Sequence, residues 1–543
     1  MSEPLLEVEN LRIGFGGKPI VHTGTSFTLA AGECVALVGE SGSGKSLTAR
    51  SLVGLVGPGS RVTADRFRIG GADVLGFDAK AWQRVRGREV GLVLQDALVS
   101  LDPLRTIAHE VGESLAAHRL GTRGSRRGTV RGLLESVGIA RAEERLDQYA
   151  HQLSGGQRQR ALIASAIAAD AKVIVADEPT TALDVTVQRQ VLGVLRKRLA
   201  DGAGLFLVSH DLAVVAGLAD RVLVLREGEV VEHGPTAEVL REPRHPYTRT
   251  LLAAVPSRES RGFTLGSYRD AAATGIERIP APAHTVDPDL VALEVSHLTV
   301  AYGKPGPGRL TAVDDASFAV RRGETLGIVG ESGSGKSTTV KAILGLVTPE
   351  SGEIRLDGKP WSTLREAERR PRREQVQLVP QDTLSSFDPR YTVEQIIAEA
   401  LLRGLPEKAA RLRRVREVLD WVHLSRDLLD RHPAELSGGQ RQRVAIARAL
   451  APTPRVVLCD EPVSALDVSV QAQILDLLQE LRAEHSTTIL FVTHDLGVVH
   501  QISDRLLVMK DGRIVEQGEV TAVFDEPQHD YTRELLAAVP AIA

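Results

Sequence analysis

Two octapeptides constrain this chain most: Gly39-Glu40-Ser41-Gly42-Ser43-Gly44-Lys45-Ser46 and Gly330-Glu331-Ser332-Gly333-Ser334-Gly335-Lys336-Ser337. Each satisfies G-x-x-x-x-G-K-[ST], a phosphate-binding loop. Each also follows a short apolar run bounded by glycine, Cys34-Val35-Ala36-Leu37-Val38 and Thr325-Leu326-Gly327-Ile328-Val329, the pattern of a buried parallel strand. Strand, loop and helix therefore come in the order that a phosphate cradle needs. The glycines let backbone N–H groups turn inward onto phosphate oxygens, and the following helix aims its positive dipole end at the same charge. Lys45 and Lys336 would reach the terminal phosphates, and Ser46 and Ser337 would ligate a magnesium ion. One such loop alone is often an ordinary turn. Two in matched contexts argue for nucleotide binding.

The rest of the chain repeats in the same order. Lys45 and Lys336 are 291 residues apart, Gln95 and Gln381 286, Glu178 and Glu461 283, and His210 and His494 284, so only small insertions separate two parallel halves. Val173-Ile174-Val175-Ala176-Asp177-Glu178 and Val456-Val457-Leu458-Cys459-Asp460-Glu461 are apolar strands ending in paired acids, at the carboxyl edge where parallel sheets bind ligand. Asp177 and Asp460 are candidates to hold magnesium, and Glu178 and Glu461 to act as general bases on water. Gln95 and Gln381 follow short apolar runs and are placed to reach the metal or the attacking water. His210 and His494 end further apolar strands; a lone histidine there is more often structural, and its repetition favours a donor to the terminal phosphate. Leu153-Ser154-Gly155-Gly156-Gln157 and Leu436-Ser437-Gly438-Gly439-Gln440 each open a helical run, presenting hydroxyl and backbone donors to an anion. Each half already has a loop for its own nucleotide, so this second anion site fits a nucleotide bound on the opposite half.

Length and composition set the frame. At 543 residues the chain exceeds one hydrophobic core, and the repeat divides it in two. Residues 1–256 form a first unit with a helical insert at about 97–150, residues 257–290 an irregular Pro/Gly-containing linker, and residues 291–543 a second unit with an insert at about 383–434. Apolar strands alternating with amphipathic helices predict an α/β fold with a mostly parallel sheet in each unit. The 66 basic and 70 acidic residues leave a net charge of −4, which suggests no nucleic-acid partner. Cys34 and Cys459 lie in apolar strand patterns of different halves and read as buried free thiols in a reducing compartment. The N-terminus has no basic, apolar signal pattern, and no apolar stretch approaches the roughly 20 residues that span a bilayer.

On these motifs the chain resembles the ATP-binding component of an ABC transporter with two nucleotide-binding domains fused in tandem. The resemblance includes Ala182-Leu183-Asp184 and Ala465-Leu466-Asp467, the family's D-loop, and covers nearly all of both halves. It implies a head-to-tail sandwich in which Lys45 and Ser437 enclose one ATP and Lys336 and Ser154 the other, with Asp184 and Asp467 nearby. It also implies an aromatic stacked on adenine, for which Phe15 and Tyr302 occupy matching places. Both continue alternating strands (Leu11, Ile13; Leu298, Val300), so core packing competes with that role.

Each half ends in a similar tail, Pro243-Arg244-His245-Pro246-Tyr247-Thr248-Arg249 and Pro527-Gln528-His529-Asp530-Tyr531-Thr532-Arg533, followed by Leu-Leu-Ala-Ala-Val-Pro. The tails resemble the C-terminal element of dipeptide and oligopeptide importer ATPases, a group that includes nickel and glutathione importers; Asp530 departs from the usual proline. No catalytic chemistry is expected of them, only a packing role. Two cysteines in different halves cannot supply the four ligands of the iron–sulfur cluster that some relatives carry beside this tail, so no cluster is expected. The resemblance implies an ATPase at the cytoplasmic face of a membrane, working with two permease subunits and an extracytoplasmic substrate-binding protein as an intramolecular pair of domains. A soluble tandem ATPase acting on ribosomes and a sugar, nickel or glutathione importer motor are the alternatives.

Overall fold

The computed structural model describes residues 3–16, 18–95, 100–181, 183–269, 277–303, 309–464 and 466–538. Met1 and Ser2, Ala97, Ala182, Gly275, Ala465, Val539 and Pro540, all used in the sequence reading, lie outside the described residues. The chain divides into two compact units, and among the described residues the break falls between Leu252 and Ala253.

In the first unit six strands lie in the order Glu229–Pro235, Arg221–Arg226, Cys34–Val38, Gly204–Val208, Val173–Asp177, Val90–Val93. All neighbours are parallel except the Glu229–Pro235 edge. The three strands Cys34–Val38, Gly204–Val208 and Val173–Asp177 are buried at every residue, which is why they read as unbroken apolar runs. Parallel strands end on one common edge. The residues just past them, the loop before Lys45, Asp177 and Glu178, His210 and Gln95, are therefore gathered there from across 170 residues of sequence or so. The second unit repeats the arrangement with Val376–Val379, Val456–Asp460, Thr488–Val492, Thr325–Val329, Arg505–Lys510 and Arg513–Glu519.

Each unit also has a separate antiparallel sheet that the expectation of one mostly parallel sheet omitted. In the first, Leu6–Phe15 pairs with Lys18–Leu29, Ser60–Thr63 and Arg66–Ile69; in the second, Asp287–Tyr302 pairs with Leu310–Arg322 and Ser351–Leu356. The reason is connection length: two or seven residues between long strands leave no room for a crossover helix, so the chain turns back on itself. Leu6 and Val8, and beyond a register irregularity Leu11 and Ile13, are core residues at most 1 % exposed.

The inserts are helical. They comprise Ile107–Ala117, Arg123–Ser136 and Ala142–Arg145 in the first unit, and Val393–Glu399 and Lys408–Trp421 in the second. Val393, Ile396, Ile397, Val415, Val418 and Leu419 share one apolar cluster with Val444 and Ile446, on the helix Gly438–Leu450 that follows the second Leu-Ser-Gly-Gly-Gln motif. The insert and that motif are thus packed as one body.

Part of the segment 257–290 is regular. Phe263–Arg269 pairs antiparallel with Glu277–Pro280, and the hairpin docks on the second unit. Leu265, 1 % exposed, joins that unit's core, and the Asp476 carboxylate accepts the backbone N–H groups of Leu265 at 2.8 Å and Gly266 at 2.7 Å. Ser260 donates to the Gln501 side chain at 2.8 Å, and Gln501 donates to the Phe263 carbonyl at 2.8 Å. Among the described residues these anchors lie in the second unit. Nine residues beyond the D-loop aspartates, Asp476 stands where the first half has Gly193. The sequence carried this signal as a charged residue in a helix whose matched position is a glycine, and periodicity within the linker could not show it.

Candidate functional site

The phosphate-binding loop of each unit is locked by its own lysine. Lys45 Nζ donates to the carbonyls of Gly39 at 2.8 Å and Glu40 at 2.7 Å, and Lys336 Nζ to those of Gly330 and Glu331, both at 2.7 Å. Gly39 and Gly330 have φ of 149° and 152°, and a Cβ there would sit 2.0 Å from the Leu225 carbonyl oxygen and 2.2 Å from that of Met509. Only glycine fits where the loop crosses the neighbouring strand. The hairpin turn beyond that strand grips the loop as well, with Gly228 and Gly512 donating to the carbonyls of Ser43 and Ser334, both at 3.1 Å.

Next to the loop, the Ser46 hydroxyl donates to Asp177 Oδ1 at 3.0 Å and Ser337 to Asp460 Oδ1 at 3.2 Å. Burial pushes both aspartates up from their ordinary values, against the hydrogen bond from the serine. Asp177 Oδ2 is buried without a protein partner. A hydroxyl, a carboxylate with a free buried oxygen and an adjacent side-chain amide form an all-oxygen donor set suited to a hard divalent cation that keeps several ligands for water and phosphate.

The second acid of each pair faces different neighbours. Gln95 Nε2 donates to Glu178 Oε2 at 2.6 Å, His210 Nδ1 lies 3.2 Å from the same oxygen, and the Thr181 hydroxyl donates to it at 3.1 Å. In the second unit Gln381 Nε2 donates to Glu461 Oε2 at 2.8 Å and His494 Nδ1 lies 3.2 Å from Oε1, while Ser464 donates to the Glu461 carbonyl instead. Thr181 escaped the sequence reading because its counterpart Ser464 makes a different bond. Both glutamates sit in the left-handed region at φ 49°, a conformation that costs a non-glycine residue on the order of 1 kcal/mol and is held here by the surrounding contacts. Burial raises the glutamates' pKa, but the histidine's hydrogen bond and charge together with Lys45 and Thr181 at Glu178, and with Lys336 at Glu461, outweigh it, so both are net lowered and stay ionised. Burial likewise pulls the histidines down, and the glutamates overcome it, so both are net raised.

The sign for stability follows. A lowered glutamate stabilises the fold above its ordinary 4.5 and loses this as pH falls; a raised histidine stabilises below its ordinary 6.5 and loses this as pH rises through its folded value. Between those two values both contributions are present. We expect thermal stability of the nucleotide-free protein to decline as pH rises above the ordinary histidine value, and the decline to flatten in the His210→Ala/His494→Ala double variant. Parallel melting curves for the two proteins across the alkaline range would refute the pairing.

In the Leu-Ser-Gly-Gly-Gln motifs, Ser154 Oγ accepts the Gln157 N–H at 3.3 Å while the Gln157 side chain accepts the Ser154 N–H at 3.1 Å; Ser437 and Gln440 do the same at 3.2 and 2.9 Å. The motif glutamine therefore serves a reciprocal helix cap. Gly156 and Gly439 are needed within their own unit, since a Cβ would lie 2.9 Å from Val187 and 2.6 Å from Val470. Gly155 and Gly438 have no such neighbour closer than 3.5 Å, so the fold of their own unit does not require glycine there. Leu153 and Leu436 are buried, whereas Ser154 and Ser437 are exposed. Asp184 and Asp467 cap the next helices, accepting from Val187 and Val470 at 2.9 and 3.0 Å.

Among the remaining candidates, Phe15 is half-buried and Tyr302 is 41 % exposed, each at the end of a strand whose Leu11, Ile13, Leu298 and Val300 are core residues. Neither ring belongs to an apolar core cluster. Ser41, Gly42, Ser332 and Gly333 lie at the exposed turn of the loop, with Ser43, Gly44, Ser334 and Gly335 buried behind them. Cys34 and Cys459 are buried, and burial drives both thiols far above their ordinary value.

The ABC transporter family matches residues 22–181 and 313–464, and the oligopeptide/dipeptide transporter C-terminal region matches 231–274 and 515–543. The chain is 40% identical to the oligopeptide transport ATP-binding protein OppD of Mycobacterium tuberculosis, covering 99% of this chain and 98% of that one. It is 41% identical to the uncharacterized ABC transporter ATP-binding protein YejF of Escherichia coli, covering 99% and 100%. It is 40% identical to the glutathione import ATP-binding protein GsiA of Salmonella typhimurium, covering 99% and 90%.

Proposed function

Because the chain belongs to the ABC transporter family of ATP-binding proteins, we propose that it is the ATP-hydrolysing motor of an importer for dipeptides or oligopeptides. The observation that carries the cargo class is the pair of tails, one in each half, that match the oligopeptide/dipeptide transporter C-terminal region. Glutathione, itself a small peptide, is the second reading, favoured by the likeness to the glutathione import protein.

ATP would be held by the loops 39–46 and 330–337, with Phe15 and Tyr302 against the adenine. Ser154 and Ser437, with the glycines that follow, would close on the nucleotide of the opposite half, so that Lys45 works with Ser437 and Lys336 with Ser154; the glycines at 155 and 438 that their own unit does not require support this reading. Ser46, Asp177 and Gln95, and Ser337, Asp460 and Gln381, would hold magnesium, which when bound neutralises phosphate charge. Glu178 and Glu461 accept the proton of the attacking water, ionised for that task by their histidines. His210 and His494 engage the glutamate through Nδ1 and keep Nε2 for the terminal phosphate. Closure of the halves around ATP would move two permease subunits at the cytoplasmic face of the membrane, with a substrate-binding protein delivering cargo from outside. Among the described residues no helix is long and apolar enough to cross a membrane, so the pore must come from partners. Leu104 and Leu384, 85 % and 49 % exposed in the segments following Gln95 and Gln381, offer apolar contact to those permeases.

The test is purification of the tagged chain from native membranes with mass spectrometry of what stays bound. Two permeases with a peptide-type binding protein would support the reading; ribosomes, or a sugar- or nickel-type binding protein, would overturn the cargo assignment.

A further inference from the structure

The tails were expected only to pack, yet each reaches into the nucleotide site. The Tyr247 hydroxyl accepts the backbone N–H of Glu40 at 2.9 Å, and the Tyr531 hydroxyl accepts that of Glu331 at 3.1 Å. Those N–H groups belong to the same peptide units as the Gly39 and Gly330 carbonyls, which accept from Lys45 Nζ and Lys336 Nζ. A peptide unit is planar and trans, so its C=O and N–H point in opposite directions and cannot turn independently. The tyrosine hydroxyl on one side and the lysine ammonium on the other therefore hold one rigid plate.

The rest of each tail fixes that hydroxyl. Tyr247 and Tyr531 are 5 % and 3 % exposed. The Arg226 guanidinium lies 5.2 Å from the Tyr247 ring centroid and the Lys510 ammonium 4.4 Å from that of Tyr531; both cations directly follow the residue whose carbonyl faces Gly39 or Gly330. His245 Nδ1 and His529 Nδ1 accept the tyrosine N–H groups, each at 3.1 Å. The Glu232 carboxylate accepts the N–H groups of Arg244 and His245 at 2.7 and 3.1 Å, and the Glu516 carboxylate those of Gln528 and His529 at 2.8 and 3.0 Å. The same histidine, tyrosine and glutamate perform the same tasks in two halves that differ at many other positions.

We propose that Tyr247 and Tyr531 are positioning residues for nucleotide binding: through the 39–40 and 330–331 peptide planes they hold Lys45 and Lys336 ready for the phosphates, making the tail a working part of the ATP site. This deepens, and rests on, the assignment of loops 39–46 and 330–337 as the ATP cradle. The cradle holds phosphate both before and during hydrolysis, so its preorganisation acts on affinity more than on turnover.

The test compares ATP affinity, read as Kd for a fluorescent ATP analogue and as KM, with kcat and melting temperature in the full chain. Tyr247→Phe/Tyr531→Phe keeps both rings and removes only the hydroxyls. It is expected to raise Kd and KM by about three- to tenfold, the scale of one hydrogen bond, while kcat changes less than about twofold. Glu232→Ala/Glu516→Ala, which unfastens the tails without touching loop or tyrosine, should raise Kd in the same direction. A lower melting temperature with unchanged Kd in both variants would overturn the proposal and leave the tails as packing. Lys45→Ala/Lys336→Ala separates the two levels: retained ATP binding there would sink the cradle assignment itself.

Discussion

The Glu178→Gln/Glu461→Gln double variant is expected to lose ATP turnover by at least about 100-fold while binding ATP within about twofold of the parent, the scale set by loss of a positioned catalytic group. Glutamine matches glutamate in shape and its amide carbonyl still accepts from Gln95 and Gln381, so the site keeps its form. It cannot take a proton from water. The glutamates are the natural point of failure because their surroundings favour the ionised state: two or three donors converge on each, and these with the nearby lysine outweigh the effect of burial. ATPase rates together with nucleotide-binding titrations decide the matter. Turnover close to the parent's would remove both glutamates from the chemistry, and loss of binding would mean that they build the site rather than act in it.

Replacing Asp476 by alanine is expected to destabilise the second unit by about 1 to 3 kcal/mol, since the buried backbone donor of Leu265 and that of the exposed Gly266 lose one charged acceptor. Asp476 is itself 8 % exposed, and burial raises its pKa against the pull of those two bonds, which oppose the cost of burying the carboxylate. With the anchor gone, Leu265 leaves the core and the stretch 257–269 becomes a protease substrate. Limited proteolysis with mapping of the first cleavage, beside thermal unfolding, measures both effects. An unchanged digestion pattern and melting curve would show that the segment is held by its apolar contacts and the Gln501 hydrogen bonds without Asp476. At the matched position of the first unit stands Gly193, and among the described residues a Cβ there would meet nothing within 4 Å.

The site was legible to the extent that its chemistry is written in short motifs and written twice. Lys45, Ser46, Asp177, Glu178 and His210 each sit at or just past the end of an apolar strand, and an all-parallel arrangement of those strands can only bring their ends to one edge. The repetition raised Gln95 and His210, ambiguous by themselves, to candidates whose side chains meet at Glu178 Oε2. The capping role of Gln157 and Gln440 was equally readable as serine followed three residues later by glutamine.

By itself, then, the sequence determined the two α/β units, the strand ends that carry the candidate catalytic groups, and the family, because strand burial, loop glycines and helix caps are local consequences of residue type and spacing. Only the tertiary structure decided three other matters. It turned the N-terminal strands of each unit into a second, antiparallel sheet; it paired Phe263–Arg269 with Glu277–Pro280 and anchored Leu265 and Gly266 on Asp476; and it brought Tyr247 onto the loop residue Glu40, 207 residues earlier in the chain. Each is a pairing between groups remote in sequence, chosen by which buried donor finds which acceptor once the chain has closed, and no local pattern encodes that choice.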